Sequence, residues 1–139
     1  MLRLVIGGVL LIHGLGHGGA LGALIWIRLR PGAETGGWSA ARTWLASSLT
    51  ADTATLIASA FWIASLFGFV VAALSFWGVL VPGDVWKPLG VSSALVSMVG
   101  IVLFFGTWPM FNTLAALAVN MAVLVAVSVK WPPQSVFGT

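Results

Sequence analysis

"TLIASAFWIASLFGFVVAALSFWGVLV", Thr55 to Val81, runs for 27 residues without one charged side chain. A bilayer's hydrocarbon core is crossed by roughly 20 apolar residues wound as a helix, so this run is long enough to span it. Three more apolar runs flank it, at about Leu4 to Ile27, Leu89 to Gly106 and Phe111 to Val129. Lipid offers no partner to a backbone amide, so only helices and closed barrels cross it. The strands of such a barrel alternate apolar with polar residues. These runs are continuously apolar, and they read as helices. The expected fold is all-α: one domain over residues 1–139, a four-helix transmembrane bundle.

Composition agrees. The chain is 60% hydrophobic and 6% charged, with a mean hydropathy of +1.09. A soluble domain carries charge on about a quarter of its residues, and one this apolar could not keep its surface in water. The lipid bilayer is therefore the first partner, and the expected location is a prokaryotic cell membrane. Six basic residues against three acidic ones give a net charge of +3, but they are dispersed at the edges of apolar runs. A nucleic-acid partner would need them clustered, so none is expected. The absence of cysteine removes disulfides, thiolate metal sites and cysteine catalysis together.

The connections differ in kind. Residues 28–54 form one long loop, broken early by Pro31, Gly32, Gly36 and Gly37. Within it Trp38, Ala41, Leu45 and Leu49 recur at helical spacing, which fits a short helix lying in the interface; an irregular loop anchored by its tryptophans fits equally. Asp52 is placed to cap the second span. "PGDVWKP" (Pro82–Pro88) and "GTWP" (Gly106–Pro109) are tight turns, making the later spans antiparallel neighbours. Trp26, Trp77, Trp86, Trp108 and Trp131 fall near span ends, as an aromatic belt requires. An even number of spans puts Arg3, Lys87 and Lys130 on one side and Arg28, Arg30 and Arg42 on the other. Three against three leaves the orientation undetermined.

The first span holds the chemistry. In "IHGLGHGGALG" (Ile12–Gly22), His13 and His17 are one turn apart on one face. Gly7, Gly14, Gly18 and Gly22 form a neighbouring stripe of the kind that lets a helix or a flat ring approach the backbone. Its partner would be another span, a second copy of the chain or another membrane protein. Ionisable side chains inside a span point to function by default. Four roles compete for these two: hydrogen bonds across the bundle, ligation of a metal, haem or chlorin, contact with a quinone or lipid, and a proton path.

The best internal partner is Asn120, which also sits at mid-depth. Further metal ligands would have to come from Met98, Met121, Asn112 and Asn120, a thin supply. Ser59, Ser65, Ser75 and Ser97 are expected to bond back to their own helices. No nucleophile with an acid–base pair, HExxH or phosphate loop is present, so catalysis has no visible machinery.

The basic start, the apolar run and "ALGA" also have the outline of a cleavable leader, but the first run is expected to be a span. "LRLVIGGVLLIHGLGH", Leu2 to His17, resembles the opening of the DoxX-like family of small four-span membrane proteins. In these a basic residue precedes an apolar run closed by a glycine-containing motif, often ending in lysine where this chain has His17. Chain length and span count agree. The resemblance implies association with membrane redox or quinone-linked complexes. The leading expectation is thus a non-enzymatic subunit or assembly partner of a larger membrane complex. The alternatives are a redox subunit holding haem, chlorin or quinone at His13, His17 and Asn120, and a small transporter or channel built from oligomers.

Overall fold

The computed structural model describes residues 1–29, 44 and 48–131, and these form four helices. They are α1 (Leu2–Leu29), α2 (Ala51–Trp77), α3 (Trp86–Leu103) and α4 (Met110–Ser128). All four are long and apolar enough to cross a membrane. Each packs closely on the next in sequence, α1 on α2, α2 on α3 and α3 on α4. The bundle is therefore a curved row of antiparallel neighbours, and α1 and α4 are not closely packed along their lengths.

The helix ends follow local chemistry rather than the edges of apolarity. α2 begins four residues before the run that predicts it, because Thr50 caps it: its hydroxyl accepts from the Thr53 amide at 3.2 Å. Asp52 is not the cap. It lies in the first turn, where a carboxylate complements the positive end of the helix. α2 also ends four residues early. Gly78 takes a left-handed conformation, φ 69°, and Val79 N–H returns to Leu74 O at 2.9 Å, closing a Schellman turn. α3 starts at Trp86 and accommodates Pro88 in its first turn, where a missing N–H costs nothing. The interfacial helix expected within residues 38–49 falls largely outside the described residues. Trp44 is described; it donates to Val102 O at 2.9 Å.

Burial is inverted relative to a water-soluble domain. Leu4, Ile12, Leu56, Phe67 and Phe111 face outward, whereas His17, Ser65, Ser75, Ser93, Ser97, Thr107, Thr113 and Asn120 are buried. In lipid an outward leucine loses nothing, while a polar side chain gains by finding partners inside. Two apolar clusters build the core. One gathers Leu10, Phe69, Phe76, Trp86 and Val123; the other gathers Leu24, Ala58, Trp62, Ile101 and Phe104. His17, Ser97 and Asn120 belong to neither. They form a polar layer at mid-bundle.

Glycines set the helix spacing. A Cβ at Gly14 would stand 3.1 Å from Phe69 Cβ and 3.2 Å from Leu66 O, and one at Gly7 would collide with the Trp77 indole. One at Gly100 would meet Phe61 Cβ at 2.9 Å, so α3 also presses on α2 through a bare backbone. At Gly18 the contact is ordinary, 3.4 Å to a Leu66 methyl. Gly22 departs from the stripe expected of it: it is exposed and nothing lies within 4 Å of its Cβ position.

At one end of the bundle Arg3 ties α1 to α2. Its Nε donates to Phe76 O at 3.1 Å and a terminal nitrogen donates to Trp77 O, while Trp77 Nε1 donates back to Arg3 O at 3.2 Å. The guanidinium thus satisfies carbonyls that the end of α2 leaves without helical partners and places a cation at the negative pole. Arg3→Leu is expected to lower stability in detergent by about 1–2 kcal/mol. Trp77→Phe, which removes only the reciprocal bond, should cost less. Thermal unfolding of the two variants checks the order.

Candidate functional site

His13 and His17 flank the midpoint of α1, and Asn120 stands at the midpoint of α4. Antiparallel packing brings them to the same depth, together with Ser97 of α3. The result is one unbroken chain of hydrogen bonds. His13 Nε2 meets Asn120 Oδ1 at 2.9 Å, Asn120 Nδ2 donates to Ser97 Oγ at 2.8 Å, and Ser97 Oγ meets His17 Nε2 at 3.2 Å. The expected His–Asn pair between the first and fourth spans is present. Ser97 corrects an expectation: it does not bond back to its own helix but joins two others. Ser59 does bond back, to Thr55 O at 2.7 Å. Ser75 instead donates to Pro82 O in the following turn, and Ser65 Oγ is buried with no partner.

Donor chemistry gives the chain a direction. An amide oxygen only accepts, so His13 carries a proton on Nε2. Asn120 donates to Ser97; when the Ser97 hydroxyl in turn donates to His17 Nε2, the His17 proton rests on Nδ1. Both Nε2 atoms are thus spoken for. Neither Nδ1 has a hydrogen-bond partner among the described residues. Neither is sealed inside the protein either; the sealed side-chain polar atoms without partners are Trp62 Nε1 and Ser65 Oγ.

Aromatic rings hold the imidazoles in place. The His17 ring lies between Trp62, 5.5 Å away and inclined by 17°, and Phe69, 6.2 Å away and inclined by 7°. Trp62 and Phe69 are two turns apart on α2, with Ser65 on the same face between them. A small residue at 65 leaves the slot that the imidazole fills. His13 meets Phe69 edge-on at 4.6 Å and His17 at 5.0 Å between centroids. Trp62 thus packs against the site.

The open side of the bundle, between α1 and α4, is a cavity of about 590 Å³. His13 and His17 stand at its polar end, Gly16 and Gly19 give it a bare floor, and Phe111, Ala116 and Val119 form the α4 wall. Trp108 and Asn112 mark the opposite end, next to the α3–α4 turn. These floor glycines are not the stripe singled out in the sequence. Gly7 and Gly14 seat α1 against α2, while Gly16 and Gly19, with nothing within 4 Å of their Cβ positions, keep the cavity empty of side chains. Seven glycines between residues 7 and 22 surround α1, so its rotation, not its composition, decides which of them do which.

Metal and haem chemistry can be set against this geometry. Among the described residues no three of His, Cys, Asp and Glu stand together. Met121 faces outward and Asn112 is exposed at the cavity's outer end. Imidazoles commonly ligate through a nitrogen whose lone pair is free. Here both Nε2 atoms are engaged, that of His13 with Asn120 and that of His17 with Ser97, so only an Nδ1 could ligate without dismantling the chain. A molecule that takes hydrogen bonds at those two atoms leaves it intact.

No family model, curated protein or solved structure matches the chain. The resemblance to DoxX-like proteins read from Leu2–His17 finds no support in these comparisons.

Proposed function

We propose that the protein binds a lipid-soluble small molecule in the cavity between α1 and α4, its polar group against His13 and His17 and its apolar body along the Gly16–Gly19 floor. One observation carries this reading: His13 and His17, their Nε2 atoms taken up in the buried chain of hydrogen bonds, line a largely apolar cavity, and neither Nδ1 has a partner among the described residues. Pockets for small molecules run to about 300–1,000 Å³ and combine apolar walls with a few convergent polar groups. An unpartnered polar atom in hydrocarbon is costly, and a ligand's hydrogen bond removes that cost. Entry is lateral, from the bilayer, because the cavity lies where two helices fail to close. Quinones and related ring compounds with prenyl tails have this chemistry. Haem and chlorin suit the site less well, since the imidazole nitrogens they would use are engaged. A role as subunit of a redox complex would place this ligand site beside a partner. An ion-coupled transporter would need a buried carboxylate, and among the described residues no Asp or Glu lines the cavity.

Gly16→Leu tests the reading cleanly. A Cβ at this position meets nothing, and leucine has better helix propensity than glycine by about 0.8 kcal/mol, so the fold is expected to survive while the side chain fills the cavity. Solvent extracts of the purified wild-type protein should contain a lipid-soluble compound in near-stoichiometric amount, and extracts of Gly16→Leu should lack it. Equal amounts from both proteins would refute a cavity ligand. Loss of a co-purifying polypeptide instead of a small molecule would assign the cavity to a partner helix and refute the reading as well.

A further inference from the structure

The paired nitrogens specify what kind of polar group the site takes. This step rests on the cavity reading above. In the arrangement described, His13 presents a bare Nδ1 lone pair and His17 presents an Nδ1–H. The chain also has a mirror state. Rotating the Asn120 amide by half a turn exchanges its oxygen and nitrogen, which are nearly the same size. Asn120 then donates to His13 Nε2 and accepts from Ser97, whose oxygen accepts from His17 Nε2–H. In that state His13 carries its proton on Nδ1 and His17 offers the lone pair. The two states differ in which histidine donates. They agree that one Nδ1 donates and the other accepts, because in both Ser97 accepts one hydrogen bond and passes its own hydrogen on.

We infer that the site selects a ligand bearing a hydroxyl group, a phenol, quinol or prenol, over the matching ether or carbonyl compound. A hydroxyl both donates and accepts, so a single oxygen accepts from one Nδ1–H and donates to the other Nδ1. The imidazole centroids are 5.0 Å apart, close enough for one ligand oxygen to approach both rings. Its hydrogen rotates to suit either state of the chain. A carbonyl or ether oxygen satisfies the donor alone and leaves the other nitrogen's lone pair facing hydrocarbon. The aromatic stack of Trp62, His17 and Phe69 stiffens one side of the pair, so the rings cannot simply turn away from a poor match.

The test needs only the wild-type protein in lipid nanodiscs, titrated calorimetrically with 4-octylphenol and with its methyl ether, 4-octylanisole, the signal of empty nanodiscs being subtracted. The two probes share size and apolarity and differ in the one hydrogen. Octylphenol is expected to bind about tenfold more tightly, the worth of one buried hydrogen bond. In His13→Phe, which keeps a flat ring and removes the nitrogens, the ratio should fall below about twofold. Equal affinities in the wild-type protein would overturn the hydroxyl preference and leave the cavity reading standing. No binding of either probe would overturn both.

Discussion

Asn120→Leu should be among the most damaging single substitutions in this protein, although it exchanges a polar side chain for an apolar one of similar size inside a membrane bundle. Asn120 is fully buried and makes two of the three bonds that join α1, α3 and α4. Without it the His13 Nε2–H has no acceptor. Ser97 loses a donor but can turn its hydroxyl to its own helix, so the penalty falls mainly on α1. Interhelical hydrogen bonds in lipid are worth roughly 0.6–1.7 kcal/mol each, and an orphaned buried donor adds about 1–3 kcal/mol. A loss of about 2–4 kcal/mol is expected in unfolding measured in mixed micelles. The double variant Asn120→Leu, His13→Leu should lose less than the sum of the two single losses, by about 1 kcal/mol, because their effects share one bond. Strict additivity would show that the pair is not coupled in the membrane.

Gly14→Leu is expected to separate α1 from α2. The space is closed on three sides, by Phe69 Cβ at 3.1 Å, a Val70 methyl at 3.2 Å and the Leu66 carbonyl at 3.2 Å. The last is backbone and cannot rotate away. Overpacking in a tight core costs about 1–3 kcal/mol and more where backbone must move. Moving α1 outward also lengthens the His13–Asn120 bond, so both stability and ligand retention should fall. Set beside Gly16→Leu, the contrast is sharp: two glycines one residue apart from a shared neighbour, one needed for folding and the other for an empty space. If unfolding shows the two variants equally stable, the rotation of α1 described here is wrong.

The spans were legible in the sequence because hydrocarbon thickness imposes a length, and Thr55–Val81 meets it without one charged residue. Their ends were less so. Apolarity continues through Val79, Leu80 and Val81, but Gly78 stops the helix by backbone geometry, and hydropathy does not register that. Asn120 could be paired with the histidines because mid-span polar groups are few and depth alone matches them. Ser97 escaped notice for the opposite reason: serine in lipid commonly bonds its own helix, as Ser59 and Ser93 do here. Its depth, equal to that of His17 once α3 is folded back, was the signal available. Which glycines pack and which leave space depends on a helix rotation that only the neighbouring side chains fix.

The position of Trp62 has a practical consequence. Its indole is 3% exposed, lies against the His17 ring and borders the cavity, and its N–H has no acceptor. Indoles without a hydrogen-bonded or mobile polar environment emit at the blue end of their range. Replacing the other seven tryptophans by phenylalanine leaves a single emitter beside the cavity. Its colour and lifetime then give an optical record, in intact membranes and in real time, of when the space next to the histidines is occupied.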